Sequence, residues 1–169
     1  VYPGSFDPLT FGHLDVVQRV LPLFDEVHLL IAKSDNKQPI FTFEERRGLV
    51  NESLQNAKVK VVEWNGLTVD YLRKIEQGVI IRGLRTMSDF DYEMTMANMN
   101  RHLLPRVETM AIFSQPQFAF IASRLVKEIC INGGNISAMV PPAVRCGGQQ
   151  NRSAALVIDR IFGPEAPHP

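Results

Sequence analysis

A run of turn residues near the amino end carries groups that can bind an anion. Gly4 lets the backbone approach a ligand closely, and Ser5 places a hydroxyl group beside free backbone N–H groups. Gly12 and His13 follow at the predicted start of a helix, where the helix dipole favours negative charge. The sequence contains neither the Gly-Lys-Ser/Thr of a P-loop nor the Gly-x-Gly-x-x-Gly of a dinucleotide site. We therefore expect an anion at this turn.

Two further segments supply groups that bind phosphate. Arg82 and Arg85 flank Gly83 directly after an apolar run, and a guanidinium group can hold phosphate through paired hydrogen bonds. Lys37, in the loop after the second predicted strand, adds a third cation. The segment 118–124 follows the last predicted strand and opens a helix, so it offers backbone N–H groups, a hydroxyl group and another arginine. Together these groups predict a site for a nucleoside triphosphate.

The elements that must position these groups are short apolar runs separated by amphipathic segments. The runs are rich in β-branched residues and lie at 27–32, 59–62, 79–81 and 109–113. They lack a clear alternation of apolar and polar residues, which is typical of parallel strands that are covered on both faces. The pattern predicts an α/β domain with a Rossmann-like open parallel sheet of about five strands and helices on both faces. Ligands bind such sheets beyond the carboxyl ends of the strands, where all three segments lie.

Helix signals fill the spaces between the predicted strands. Thr42 and Glu45 have the spacing of a capping box, so they predict a helix from about Phe43 and are a cap rather than a site. Further helices are predicted at 69–76, 92–103 and 121–132. The composition changes after Pro141 and Pro142, which favours one domain over residues 1–142 and a helix or tail over residues 143–169. Only two residues precede the first turn, so we expect several amino-terminal residues to be missing from the sequence.

Composition argues against several classes of protein. The 169 residues include 18 Lys plus Arg and 18 Asp plus Glu, and this balance is unfavourable for binding to nucleic acid or to a membrane surface. No apolar run approaches the roughly 18 residues of a membrane span, and the amino end lacks a signal-peptide pattern, so we expect a cytoplasmic protein. Cys130 and Cys146 lack the spacing of a zinc site.

Longer motifs resemble one enzyme family. Thr10, Gly12 and His13 match the T/H-x-G-H signature of the nucleotidyltransferase superfamily. Further matching segments lie at residues 2–8, 41–46, 81–85, 89–94 and 99–103. On these segments the sequence resembles the bacterial phosphopantetheine adenylyltransferases over about residues 1–142. The T-x-G-H motif alone assigns only the superfamily, whereas RGLR followed by DFDYE and NRHL is much more specific.

The resemblance implies that residues 1–142 form a nucleotidyltransferase domain. This domain would transfer the adenylyl group of ATP to 4′-phosphopantetheine, forming dephospho-coenzyme A and pyrophosphate. The acceptor phosphate is itself a competent nucleophile, so a direct in-line displacement needs no covalent intermediate. The implied cofactor is Mg²⁺, which would bridge the triphosphate oxygens. The resemblance also implies a homohexamer and feedback inhibition by coenzyme A.

The resemblance assigns site residues one position at a time. The implied catalytic residues are His13, which would stabilise the transition state at the α-phosphate, and the cations Lys37 and Arg82. The implied ligands of phosphopantetheine are Ser5, Lys37, Thr68 and Arg82. The implied ligands of ATP are Ser5, Phe6, His13, Gly83, Leu84, Arg85, Glu93, Phe118, Ala119, Phe120, Ile121, Ala122, Ser123 and Arg124.

One segment departs from the family. The family has Ile-Ser-Ser-Ser or Ile-Ser-Ser-Thr where this chain has residues 121–124 with Ala122 and Arg124. Each lost hydroxyl group beside a charge is worth about 1.5–3 kcal/mol, while the added Arg124 either offsets part of that loss or misplaces the phosphates. We therefore predict weakened ATP binding, which should tighten when Ala122→Ser and Arg124→Ser are combined. The segment from Arg145 onward does not match the family and is assigned no function.

Two other functions remain open from the sequence. The first is nucleotidyl transfer to a different phosphorylated acceptor, such as nicotinamide mononucleotide or glycerol phosphate. The second is a non-catalytic protein that binds ATP or coenzyme A and has lost turnover through the altered residues 121–124. The presence of His13 argues against the second function, because a binding protein needs no group for the transition state.

Overall fold

The computed structural model describes residues 1–32, 39–76 and 78–144. The predicted cation Lys37 and most of the predicted tail at 143–169 lie outside these residues. Within them, the strands are β1 (Tyr2–Gly4), β2 (Val27–Ala32), β3 (Val59–Trp64), β4 (Val79–Leu84) and β5 (Glu108–Phe113). The α-helices are α1 (Phe11–Val20), α2 (Phe43–Ser53), α3 (Thr68–Ile75), α4 (Met87–Leu103) and α5 (Ser123–Ile131). Single 3₁₀ turns occur at Leu21–Leu23, Pro116–Phe118 and Pro142–Val144.

All of the described strand pairs are parallel. One ladder joins β1, β2 and β3, and a second joins β4 and β5. Val1 connects the two ladders, because its carbonyl oxygen accepts a hydrogen bond of 2.7 Å from the Ile81 N–H and its nitrogen donates one of 2.7 Å to the Val79 oxygen. The strand order is therefore β3-β2-β1-β4-β5. The chain direction across the sheet reverses between β1 and β4, which is where open sheets of this kind bind ligands.

Apolar clusters cover both faces of the sheet. Ile80 and Ile81 are neighbours in β4, yet they belong to different clusters, because successive strand residues point to opposite faces. The larger cluster contains buried residues of α1, α2 and α5, including Val17 and Val50. The smaller cluster contains Val69 and Leu72 of α3. The prediction of a parallel α/β sheet with helices on both faces is confirmed.

Reciprocal side-chain caps begin α1 and α2. The Thr10 side chain accepts a hydrogen bond from the His13 N–H at the start of α1, and the His13 ring in turn accepts one from the Thr10 N–H. Thr42 and Glu45 form the same reciprocal arrangement at the start of α2, with distances of 3.3 and 2.7 Å. The predicted capping box is confirmed. The predicted start of α4 at residue 92 was wrong, because Thr86 caps the helix five residues earlier by accepting from the Asp89 N–H.

Removing the α2 cap should lower stability without changing the site. Thr42→Ala leaves the Glu45 N–H without its side-chain acceptor, so we expect the free energy of unfolding to fall by about 1 kcal/mol. Urea denaturation would measure this loss, and Thr42→Ser should recover most of it because serine keeps the hydroxyl acceptor. An alanine variant that loses nucleotide affinity while keeping full stability would contradict the assignment of Thr42 as a cap.

No helix in residues 1–32, 39–76 and 78–144 is long and apolar enough to cross a membrane.

Candidate active site

A cavity of about 310 Å³ opens at the carboxyl ends of β1 and β4. It brings together many of the residues that the sequence predicts for the site. They are Phe6, His13, Arg82, Gly83, Arg85, Glu93, Ile121, Ala122, Ser123 and Arg124. The cavity therefore lies at the reversal point of the sheet, between the first turns of α1, α4 and α5.

Other predicted residues do not line this cavity. The side chain of Leu84 is buried in the core, and Thr68 is the first residue of α3. Ser5 is exposed, and its carbonyl oxygen accepts a hydrogen bond of 2.8 Å from Arg46. The remaining predicted residues outside the lining are Phe118, Ala119 and Phe120.

The hydrogen bonds of His13 fix its tautomer. His13 is the third residue of α1, and its Nδ1 atom lies 3.1 Å from the Thr10 backbone nitrogen. A backbone N–H can only donate, so Nδ1 is the acceptor and the ring proton is on Nε2. The ring packs edge-on against Phe6, with 5.1 Å between ring centroids. Nε2–H is therefore the group that a ligand in the cavity can meet.

The surroundings of His13 keep the ring neutral. Burial lowers its pKa to about 4, and the nearby positive charges of Arg85 and Arg82 act in the same direction. At neutral pH the side chain is consequently an uncharged hydrogen-bond donor. It therefore differs from a cationic phosphate ligand, because it can orient a phosphate oxygen through a hydrogen bond but adds no positive charge to the cavity.

This depressed pKa predicts a component of acid destabilisation. Between pH 6.5 and about 4 the unfolded chain binds a proton at His13 that the folded protein does not, so stability falls as the pH is lowered through that window. The difference corresponds to about 3 kcal/mol between pH 7 and pH 4. We expect His13→Gln, which keeps a side chain suited to the capping box, to lose less stability than the wild type over this range. Parallel curves of unfolding free energy against pH would contradict a neutral, buried His13.

Arg82 is held in place by a carboxylate and a carbonyl group. Its Nε atom lies 2.6 Å from Glu93 Oε2, its Nη2 atom pairs with Glu93 Oε1, and its Nη1 atom donates to the Pro3 carbonyl oxygen at 2.9 Å. Only 29% of the Arg82 side chain and 13% of the Glu93 side chain are exposed. Glu93 of α4 therefore positions the guanidinium group at the end of β4.

Arg85 has a similar partner on the same helix. Its Nε and Nη2 atoms lie 3.1 and 3.2 Å from the Asp89 carboxylate, and its Nη1 atom donates to the Ile121 carbonyl oxygen at 3.2 Å. Sequence reasoning missed Asp89 as a site residue. The available signal was its place in the segment 89–94 that matches the family, because Arg85 itself lies before the cap of α4.

The start of α5 presents backbone donors. Ala122 occupies the cap position and has no side-chain hydrogen bond to the first turn, so the backbone N–H groups there have no side-chain cap. The Ser123 hydroxyl donates to the Pro8 carbonyl oxygen at 3.1 Å. Its proton is therefore engaged within the protein, and this first turn offers the cavity mainly backbone N–H groups and the Arg124 side chain.

Asp7 is a second residue that sequence reasoning missed. It is buried, and its carboxylate accepts hydrogen bonds of 3.1 Å from the Ile40 and Phe41 N–H groups. Lys127 of α5 pairs with the same carboxylate. Asp7 thus joins the segment before α2 to the helix whose first turn borders the cavity. These contacts span more than 30 residues, so no local pattern identifies them.

Comparison with known proteins agrees with this geometry. A family model described as cytidylyltransferase-like matches residues 1–129. The fold and the site therefore define a nucleotidyltransferase. Phosphopantetheine adenylyltransferase from Bdellovibrio bacteriovorus is 54% identical over 145 residues, covering 85% of this chain and 91% of that protein. The enzyme of the same name from Anaeromyxobacter dehalogenans is 45% identical, covering 85% and 88%. The chain belongs to the phosphopantetheine adenylyltransferase family.

Solved structures with low sequence identity share the fold. Plasmodium falciparum nicotinic acid mononucleotide adenylyltransferase, complexed with NaAD, has a TM-score of 0.64 at 15% identity and covers 96% of this chain and 95% of its own. A bifunctional NMN adenylyltransferase/ADP ribose pyrophosphatase from Francisella tularensis, complexed with AMP and a manganese ion, has a TM-score of 0.61 at 17% identity and covers 94% and 48%. At these identities the likeness concerns the fold alone.

Proposed function

We propose that this protein transfers the adenylyl group of ATP to 4′-phosphopantetheine, forming dephospho-coenzyme A and pyrophosphate. The observation that carries the proposal is the convergence of His13, Arg82 and Arg85 in one cavity of a chain from this family. Each of these groups suits a phosphate oxygen, and together they can hold two phosphorylated molecules side by side.

The reaction proceeds by a single displacement. A phosphate oxygen of 4′-phosphopantetheine attacks the α-phosphorus of ATP and forms the new P–O bond. The bond from the α-phosphorus to the oxygen that bridges the β-phosphate breaks, and pyrophosphate leaves with that oxygen and the bonding electron pair. The protein aligns the two substrates and stabilises the charge on the non-bridging α-phosphate oxygens.

Each cavity residue has a distinct part in this proposal. His13 donates its Nε2–H to an α-phosphate oxygen, and Arg82, held by Glu93, binds the acceptor phosphate. The backbone at Gly83 and the first turn of α5 hold the nucleotide together with Arg85. Ser5, Lys37 and Thr68 are proposed ligands of phosphopantetheine from the family resemblance. The side chain of Leu84 is buried, so any nucleotide contact there would involve its backbone.

The residues around the cavity fit a metal ion that arrives with the nucleotide. No group of three His, Cys, Asp or Glu side chains in the described part of the chain could hold a metal. The carboxylates of Asp89 and Glu93 at the cavity are engaged by arginines. We infer that Mg²⁺ is held by triphosphate oxygens and water. When bound there, it would offset the triphosphate charge and assist the departure of pyrophosphate.

The exposed face of α4 supports a homo-oligomer. None of its residues is buried, and Met87, Tyr92 and Met99 are 77%, 61% and 55% exposed. Phe113 at the end of β5 is 71% exposed. We infer that copies of the chain pack on this surface, in the homohexamer that the family resemblance implies. Sedimentation equilibrium should give six times the mass of one chain, and a monomer would contradict this inference.

Two further properties follow from the proposed reaction. Coenzyme A contains both the pantetheine and the adenylyl portions of the product, so it should compete with both substrates and act as a feedback inhibitor. The cytoplasm supplies ATP, and we propose that the reaction takes place there. A binding competition between coenzyme A and ATP would test the first property.

Pyrophosphate release with a panel of acceptors tests the proposed function. ATP and Mg²⁺ are supplied with 4′-phosphopantetheine, nicotinamide mononucleotide, glycerol phosphate or no acceptor. The proposal predicts release with 4′-phosphopantetheine only. Release with another acceptor would instead favour a nucleotidyltransferase for that acceptor. If the protein binds ATP but releases no pyrophosphate with any acceptor, the result would favour a non-catalytic binder. Thr42→Ala, a substitution outside the cavity lining, is the matched control and should retain the wild-type acceptor preference.

A further inference from the structure

The turn between β1 and α1 contains a strained residue. Phe6 has a φ of 47°, which lies in the left-handed region that bulky side chains rarely adopt. Such a conformation persists only where the surrounding structure holds it, and it is common at functional sites. The buried Phe6 ring packs against the rings of Tyr2 and His13, with 5.4 and 5.1 Å between centroids. The strain therefore lies beside the ring that is proposed to act on the α-phosphate.

Contacts from other elements hold the backbone on both sides of Phe6. Before it, Arg46 of α2 donates from Nη1 to the Ser5 carbonyl oxygen at 2.8 Å. After it, the buried Asp7 carboxylate accepts two backbone N–H groups of the segment before α2 at 3.1 Å and pairs with Lys127 of α5. These partners lie more than 30 residues away in the chain. The conformation of the turn is therefore fixed by the fold as a whole.

Arg46 differs from the other anchors because its charge is unpaired. The residue is 6% exposed. Among the described residues its guanidinium group meets only the carbonyl oxygens of Ser5 and Thr42, at 2.8 and 3.4 Å. Burying a charge without a carboxylate partner is costly. The turn that Arg46 contacts is the one at which the sequence predicts an anion, so a bound phosphate would offset part of that cost.

The hydrogen bond from Arg46 also fixes the direction of one backbone donor. The Ser5–Phe6 peptide is trans, so its N–H points opposite to its C=O. Arg46 holds the C=O towards α2, and within the described part of the chain the cavity is lined by Phe6 but by no residue of α2. The Phe6 N–H points away from α2 and donates to no acceptor among the described residues. A buried N–H without an acceptor is rare, and a ligand that brings the acceptor accounts for it.

We propose that Arg46 is a positioning residue, which orients the Ser5–Phe6 peptide so that the Phe6 N–H donates to a phosphate oxygen of a bound substrate. The inference rests on the proposed function in taking both substrates as phosphorylated. The family resemblance implies a nucleotide contact at Phe6 but no role for Arg46. A donor that is already oriented binds an anion without reorganisation, and the buried positive charge on the other side of the peptide favours that anion.

A single amide signal tests this role directly. Ser5–Phe6 is the only serine–phenylalanine step in the sequence. Cell-free synthesis with ¹³C-carbonyl serine and ¹⁵N-phenylalanine therefore selects the Phe6 N–H in an HNCO spectrum of the deuterated protein. ATP and 4′-phosphopantetheine are added separately, and the proton signal should move downfield with the substrate whose phosphate accepts the hydrogen bond. If neither substrate moves the signal, the inference is overturned.

Variants of Arg46 then test the positioning. Arg46→Met keeps much of the side-chain volume but has no donor. The response of the Phe6 amide should be lost, and the affinity for that substrate, measured by calorimetry, should fall about tenfold to a hundredfold. Arg46→Lys keeps the charge and a donor and should recover part of both. Arg47→Met removes the adjacent, exposed arginine of α2 and should behave as the wild type does.

The cap variant Thr42→Ala separates positioning from stability. It weakens the start of the same helix, yet it should keep the affinity and the amide response of the wild type. A comparable loss of affinity in Thr42→Ala would reduce Arg46 to a structural role and overturn the inference, and so would wild-type affinity in Arg46→Met. These measurements need no turnover. A protein whose Phe6 amide responds to ATP but that does not use 4′-phosphopantetheine would defeat the proposed function and leave the role of Arg46 intact.

Discussion

Replacing His13 with alanine is expected to lower kcat by about a hundredfold to a thousandfold, while ATP affinity stays nearly unchanged. The neutral ring holds its Nε2–H ready because Thr10 donates its backbone N–H to Nδ1 at 3.1 Å. The contact with an α-phosphate oxygen strengthens as negative charge grows there in the transition state, so its loss appears in kcat rather than in ground-state binding. Steady-state kinetics and calorimetry on the same variant separate the two quantities.

The histidine experiment has a matched control within the chain. His28 lies in β2, where its ring contacts Tyr71 at 2.8 Å and Glu26 at 3.1 Å, and it does not line the cavity. His28→Ala should therefore leave kcat unchanged. An equal loss of turnover and ATP affinity in His13→Ala would count against a transition-state role, and so would a comparable loss of kcat in the His28 variant.

Replacing Arg82 with glutamine is expected to lower kcat/KM for 4′-phosphopantetheine by about a thousandfold. Two effects add: the acceptor phosphate loses its cation, and the largely buried carboxylate of Glu93 loses its partner and faces two anionic substrates. The lost charge-assisted phosphate contact is worth about 1.5–3 kcal/mol, and repulsion of the substrate phosphates by the unpaired Glu93 carboxylate adds to it. A total of about 4 kcal/mol corresponds to the thousandfold loss.

A second substitution separates these two effects. In the Arg82→Gln/Glu93→Gln double variant, no carboxylate remains to repel the substrates, so part of the lost kcat/KM should return. The exposed pair of Asp70 and Arg73, with both side chains 46% exposed, supplies the control, and Arg73→Gln should have no effect on activity. If kcat/KM of the double variant is no higher than that of Arg82→Gln, repulsion by Glu93 does not contribute to the loss. If Arg82→Gln is fully active, the pair of Arg82 and Glu93 has only a structural role.

Local sequence patterns predicted the elements of this fold well. The capping box of Thr42 and Glu45 and the start of α1 before His13 depend on contacts three residues apart, so they are visible in the sequence. The early start of α4 could have been found in the same way. Thr86 and Asp89 have the spacing of a helix start, but the helix was predicted to begin only at residue 92.

Long-range contacts account for what the sequence could not predict about the site. The placement of β4 beside β1 through Val1 and Ile81 creates the crevice, and no pattern within either strand specifies that neighbour. The pairing of Arg82 with Glu93 joins a strand to a helix across 11 residues and depends on how the two elements pack. Sequence reasoning therefore identified the arginines of the described cavity but not which of them are paired with carboxylates.

The fate of the α-phosphorus of ATP tests the proposed reaction most directly. ATP that is radiolabelled at the α-phosphate is incubated with the protein, Mg²⁺ and 4′-phosphopantetheine, and a chiral α-thiophosphate analogue is run in parallel. Direct adenylyl transfer predicts that the label appears in dephospho-coenzyme A and that the configuration at phosphorus is inverted. Label that remains in ATP, appears in AMP or is attached to the protein, or a product with retained configuration, would contradict a single displacement in this cavity.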